Sequence, residues 1–263
     1  MRLSACASGH MTAMCLAHQP LFWWLLPTVL LLTSFSVAAQ EKTYRVALIT
    51  HSPPLSYLDS AGKFTGFNVE IATELCAEMK IRCVQQALPI DKIVDMAAAD
   101  QVDFAVVGFI PTPERKTRVL FSKVYFQSMS VWLAKPSVTA GNSRSSVAVI
   151  KGSAQASHAQ AMGWRRTEVT TNREITSLLA SGVADATVLP MLGALSLAQE
   201  NLLLPLGLKS TVLTGPLITG NLHMVINPKQ AVLVERINAA IDQIKLDGRF
   251  DHINTKFVPF SLL

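Results

Sequence analysis

From Tyr44 to Thr50 the sequence YRVALIT is a near-continuous apolar run of strand length, the pattern of a strand covered on both faces. Asp59-Ser60-Ala61-Gly62 is turn chemistry between two short extended pieces. Asn68 is placed to cap a helix whose apolar residues Val69, Ala72, Leu75, Cys76 and Met79 recur at helical spacing. A strand is expected over 83–86, and a helix carrying Ile93, Met96 and Ala97 follows it. The run DFAVVG over 103–108, bounded by turn signals, reads as another buried strand. Strands alternating with helices predict an α/β fold with a largely parallel sheet.

The rhythm then restarts. Residues 135–145 are rich in Ser, Gly, Asn and Pro and read as a connector. Beyond it come a strand over 146–150, a helix over 154–162 and an extended piece over 168–170. Asn172 is placed to cap a helix through Ala180 that Gly182 closes. A strand over 186–189 and a helix over 191–200 complete the second unit. Late in the chain, 222–226 is a strand, and Pro228 opens a helix with Val234, Ile237, Ile241 and Ile244 on one face, ended by Gly248. Two similar α/β units in succession imply two lobes.

The first forty residues follow another pattern. Arg2 is the one clear positive charge ahead of Leu21-Phe22-Trp23-Trp24-Leu25-Leu26, and the apolar stretch resumes after Pro27-Thr28 as Val29 to Leu32. Val37-Ala38-Ala39 is a small-residue cleavage site of the A-x-A type, so residues 1–39 are expected to be a secretory signal peptide. A membrane anchor fits less well, because the run is short, contains Pro27 and ends in small residues. The segment before it is long enough that translation could start at Met1, Met11 or Met14. Leu3-Ser4-Ala5-Cys6 resembles a lipoprotein box but precedes the apolar core, which excludes lipidation there.

Composition narrows the function classes. The 263 residues are 50% apolar and 16% charged, a globular balance with ample material for a core. The net charge of +5 is mild and the basic residues are scattered, which argues against nucleic-acid binding. Of the four cysteines, Cys6 and Cys15 lie in the leader. Cys76 and Cys83 remain, and in an oxidising compartment a disulfide is the default, two buried thiols the alternative. No His flanks them at ligand spacing, so no metal is expected. His51, His158, His223 and His252 are scattered, with no paired-His helix and no G-x-S-x-G elbow, so no catalytic residue is assigned and no cofactor is expected.

Two segments carry binding chemistry. Arg115 follows Gly108 and the turn Pro111-Thr112-Pro113, close to the C-terminal end of an expected strand, where open α/β sheets bind ligands. Its guanidinium fork matches a carboxylate. Lys151-Gly152-Ser153-Ala154-Gln155 leaves a strand and enters a helix, and such a start favours an anion through backbone N–H groups and the Ser hydroxyl. A plain helix cap at Ser153 is the alternative reading.

Several motifs together resemble a known family, the periplasmic amino-acid-binding proteins of ABC importers, solute-binding family 3. They are Pro53-Pro54-Leu55-Ser56-Tyr57 with Gly66-Phe67-Asn68-Val69-Glu70, and Val102-Asp103-Phe104 leading to Gly108 and Thr112-Pro113-Glu114-Arg115, extended by Phe121-Ser122 and Tyr125. Ser181-Gly182-Val183-Ala184-Asp185-Ala186, then Asp247-Gly248-Arg249-Phe250 and Lys256-Phe257, continue the series in order over 44–259. The cysteine spacing further resembles the branch that binds histidine or lysine, arginine and ornithine, where the pair is a disulfide.

The resemblance implies a two-lobed periplasmic-binding-protein-like (type II) α/β fold, each lobe a mostly parallel sheet flanked by helices, with the ligand cleft between. It implies a discontinuous first lobe, 41–134 plus 224–263, a second lobe over 135–223, and two crossing strands as hinge. It also implies a monomeric periplasmic receptor that hands a small molecule to an ABC permease, with Arg115 and the loop of Gly152, Ser153 and Gln155 on the ligand's carboxylate.

The departures from the family pattern shape the expected ligand. Where relatives place an acidic residue, a neighbouring aromatic, a small hydroxyl and an aspartate, this chain has Ile49, Ser52, Ile110 and Pro190. Neither Ile110 nor Pro190 offers a side-chain acceptor to an ammonium, whose burial unpaired costs several kcal/mol. The expected ligand is therefore a small organic anion with an apolar body, unless Asp185 or a backbone carbonyl substitutes. Two other functions stay open at this point: a non-transport accessory or sensory protein, and a dehydratase-like enzyme on the same fold.

Overall fold

The computed structural model describes residues 42–142 and 144–263, so the expected signal peptide lies outside the described residues. In chain order the elements are β1 (Thr43–Ile49), β2 (Tyr57–Leu58), β3 (Phe64–Thr65), α1 (Phe67–Glu78), β4 (Arg82–Leu88), α2 (Ile93–Ala98), β5 (Phe104–Phe109), α3 (Pro113–Lys116), β6 (Leu120–Ser128) and β7 (Ser130–Ala134). There follow β8 (Ser146–Ile150), α4 (Ala154–Ala161), β9 (Arg165–Val169), α5 (Asn172–Ala180), β10 (Ala186–Pro190), α6 (Met191–Gln199), β11 (Lys209–Leu213), β12 (Gly220–Ile226), α7 (Val232–Leu246) and α8 (Arg249–Phe257).

Two five-stranded sheets result, ordered β4-β1-β5-β12-β6 and β11-β7-β10-β8-β9. In the first, β1 runs parallel to β4 and β5, while β12 is antiparallel to β5 and β6. In the second, β8 is parallel to β9 and β10, while β7 is antiparallel to β10 and β11. The sheets are therefore mixed, half parallel and half antiparallel, not largely parallel. The cause lies in the connections. Parallel neighbours need helical crossovers, which α1, α2, α4 and α5 provide. The chain instead passes from one sheet to the other through β6 and β7 with only Met129 between them. The strand pairing places 130–134 in the second sheet, although the expected division at 134/135 assigns them to the first lobe.

Each sheet is covered on both faces. Val46, Leu48, Phe104 and Val106 pack with Phe67, Ile71, Leu75, Ile237 and Ile241 of α1 and α7. Ala47, Ala105 and Val107 alternate to the other face, under Ile93 and Ala97 of α2. In the second lobe Leu133, Ala148 and Leu189 meet Ile175, Leu179 and Leu197, while Trp132, Val147 and Val149 meet Ala156, Ala159 and Trp164. This two-sided burial is why the strands read as continuous apolar runs. The Cys76–Cys83 disulfide ties the last turn of α1 to the start of β4. No helix among the described residues is long and apolar enough to cross a membrane.

Three local expectations shift. Asn68 does not cap α1; the cap position is Gly66, at φ 129°, where a Cβ would fall 2.4 Å from the Leu55 carbonyl oxygen. Asn68 is instead fully buried inside the helix, its Oδ1 accepting from the Tyr125 hydroxyl at 3.2 Å. Asn172 is the first residue of α5, and Thr171 caps it, accepting from the Glu174 N–H at 3.3 Å. Pro228 opens a single 3₁₀ turn over Pro228–Gln230, and α7 begins only at Val232.

Candidate functional site

The C-terminal ends of the parallel strands of both lobes converge on one cavity of about 520 Å³, within the usual range for small-molecule sites. The first lobe contributes Ile49 to Pro53 after β1, Pro89 to Asp91 after β4, Gly108 to Ile110 at the end of β5, and Arg115 on α3. The second contributes Ile150 to Lys151 and Ser153 to Gln155 at the start of α4, Thr170 to Asn172 at the start of α5, and Val188 to Pro190 before α6.

Arg115 is positioned by the turn that carries it. Thr112 caps α3 and accepts from the Arg115 N–H at 3.3 Å, with Pro113 pre-set for the first helical position. The side chain is then turned inward, so that the residue is only 9% exposed. Nη1 donates to the Ile110 carbonyl at 3.0 Å, and Nη2 donates across the cleft to the Gly152 carbonyl at 3.0 Å. The guanidinium carbon stands 4.3 Å from the centroid of the Phe109 ring, a cation–π arrangement. No carboxylate among the described residues pairs with it, and desolvation lowers its pKa to about 10, leaving it cationic at neutral pH. Two carbonyls use two of the five guanidinium N–H groups, and three remain for a ligand.

Opposite Arg115, Gly152 adopts φ +75° and packs so tightly that a Cβ would lie 2.6 Å from the Asp91 Cα of the first lobe. Lys151 Nζ reaches the Asp91 carboxylate at 3.3 Å, a second link between lobes. Ser153 is the cap of α4: its Oγ accepts from the Ala156 N–H at 3.0 Å, so the cap reading holds while the hydroxyl proton stays available. Gln155 is 7% exposed, and its Nε2 donates to Ser130 Oγ at 2.9 Å.

The structure thus brings Ser52, Gly108, Ile110, Arg115, Ser153, Gln155 and Pro190 onto the wall of one cavity, and Gly152 to its edge through the bond with Arg115. Gly108 makes room for the Leu222 side chain, since a Cβ would lie 2.8 Å from its Cδ1. Ile110 lines the cavity, and its carbonyl accepts from Arg115. Asp185, considered above as a substitute acceptor, lies elsewhere: it accepts from the Ser146 N–H at 2.8 Å and its hydroxyl at 3.0 Å. Motif reading missed Asp91, His51 and the Thr170 to Asn172 corner. The available signal was positional, since each follows the end of a parallel strand.

The fold and cleft define a class, the two-lobed binding proteins. An ancestral arginine-binding protein bound to glutamine superposes with a TM-score of 0.74 at 25% identity, covering 82% of this chain and 97% of that one. The chain belongs to the bacterial extracellular solute-binding proteins, family 3, whose model matches residues 44–260. It is 27% identical to the arginine-binding periplasmic protein of Mannheimia haemolytica over 78% of this chain and 87% of the relative. It is 26% identical to the lysine/arginine/ornithine-binding periplasmic protein of Escherichia coli K12, over 86% and 92% respectively.

Proposed function

We propose that this protein is exported to the periplasm through a cleaved signal peptide and captures a small carboxylate-bearing solute between its lobes for an ABC-type importer. The observation that carries the reading is Arg115, a cation buried in the cleft wall with no carboxylate partner among the described residues. A buried charge of this kind calls for an opposite charge, and the ligand supplies it. The rest of the wall is largely apolar, with Ile49, Leu55, Phe109, Ile110, Val188 and Leu189, which suits an apolar body. Asp91 is the one carboxylate on the wall among the described residues, and Lys151 already holds it. An anion without an ammonium is therefore favoured.

A second reading, a free amino acid, has one observation in its favour beyond the relatives' names. Asp91 faces the cavity, and an ammonium could displace Lys151 from it. A thermal-shift screen over matched organic acids and amino acids separates the two. At a hundred times the dissociation constant a ligand raises stability by about 2.7 kcal/mol, an easily read shift. The first reading expects shifts from organic acids; shifts from amino acids alone would establish the second, and shifts from neither would overturn both.

A further inference from the structure

Gln155 and Ser130 fix the direction of one hydrogen-bonding chain at the cleft wall. Ser130 is wholly buried and its hydroxyl donates to the Ile218 carbonyl at 2.7 Å, a partner that can only accept. With its proton committed, Ser130 Oγ must accept from Gln155, and the bond from Nε2 at 2.9 Å is of that kind. The amide of Gln155 is therefore held in one orientation. Its Oε1 has no protein donor among the described residues, and Gln155 lines the cavity three residues beyond Gly152, whose carbonyl receives Arg115. We infer that the ligand carries, beside its carboxylate, a neutral hydrogen-bond donor such as a hydroxyl, which Gln155 Oε1 receives.

This rests on the carboxylate reading above and narrows its substrate class to hydroxy acids with an apolar body. A ligand lacking the donor strands a desolvated acceptor. A carbonyl in its place sets two acceptors against each other. An ammonium brings three donors and a charge to a wall already holding Arg115; Lys151 occupies Asp91, the one carboxylate there among the described residues, and a neutral amide oxygen alone does not satisfy it.

The test is calorimetry with the hydroxy, oxo, deoxy and amino forms of the leucine and phenylalanine skeletons. The hydroxy acid is expected to bind at least tenfold more tightly than its oxo and deoxy counterparts. Gln155→Ala should bring those three acids to within about threefold of one another. Ser130→Ala frees the amide to turn, so the oxo form should gain on the hydroxy form; thermal melting reports whether that variant folds, and Gln155→Ala carries the test if it does not. Equal binding of the three acids, or a preference that survives Gln155→Ala, overturns this inference and leaves carboxylate binding intact. Tightest binding of the amino form overturns it in favour of the second reading. Failure of every acid to bind overturns the carboxylate reading, and this one with it.

Discussion

The first lobe brings a buried charge to the cleft, whereas the second brings the N-terminal ends of three helices. Arg115 stacks on Phe109 and donates to the Ile110 carbonyl, partners from its own lobe that hold it whether or not the lobes are together. Ser153, Thr171 and Pro190 occupy the cap positions of α4, α5 and α6, all on the same wall. The free N–H groups in the first turns of these helices favour negative charge but act only at close range, within about a turn of the helix end. The comparison separates two contributions to binding. Under the proposed function the first lobe supplies a fixed attraction, and the second adds its donors when closure brings them to the ligand. Changes in the first lobe should alter the attraction itself, and changes in the second should act through closure.

The largest effect is expected at Arg115. Arg115→Ala leaves a bound carboxylate desolvated without its partner, a loss on the order of 3–5 kcal/mol, and Arg115→Lys restores only part of it because an ammonium cannot reproduce the fork. Titration calorimetry on both variants measures this; wild-type affinity in Arg115→Ala would remove the first lobe's share. Next comes the disulfide, which staples the first lobe away from the cleft wall. Replacing Cys76 and Cys83 with Ser should cost about 2.5 kcal/mol of stability in a denaturant melt, from loop closure alone. Ligand affinity should not change, and a parallel loss of binding would show that the site depends on the staple.

At the lobe junction, Gly152→Ala places a Cβ against the Asp91 backbone and forces an L-residue into φ +75°. The backbone strain is about 1–2 kcal/mol. Affinity should fall by roughly tenfold or more as closure is obstructed, and the backbone strain should lower the ligand-free melting temperature by a few degrees. Unchanged affinity would mean that the lobes do not need this contact.

The smallest effect is expected at His158, which packs edge-on against Trp164 in the second lobe. Burial lowers its pKa below the usual 6.5, so the folded state binds fewer protons than the unfolded chain in that region. Its contribution is fully present above about pH 6.5 and is lost as the pH falls through and below that value. Melting temperatures of the wild type and His158→Gln between pH 7.5 and 5 should converge on acidification. Parallel curves would assign the acid sensitivity elsewhere.

Much of this architecture is legible in the sequence where burial is two-sided. The runs that became β1, β5 and β8 are apolar because helices cover both faces of their sheets. The strands that escape notice are of two kinds. Lys209–Leu213 is an edge strand with alternating exposure and little apolar signal, while Leu120–Ser128 and Ser130–Ala134 form one extended passage that serves two sheets in turn. The Asn68 and Asn172 expectations failed because Asn is a generic cap signal. Gly66 holds the position in α1 through a close backbone approach, and Thr171 holds it in α5 through its pairing with Glu174. Arg115, Gly108, Ser153 and Gln155 were accessible from motif order. Asp91 belongs to no motif, and only its position just past the end of β4, a parallel strand, pointed to it.

The central claim is that the cleft holds a negative charge against Arg115. The most direct measurement is calorimetry of the wild-type protein with its tightest-binding organic acid and with the methyl ester of that acid, equal in body and lacking only the charge. The account predicts that the ester binds at least about a hundredfold more weakly, the loss of one desolvated charge pair. Equal affinities for acid and ester would contradict it.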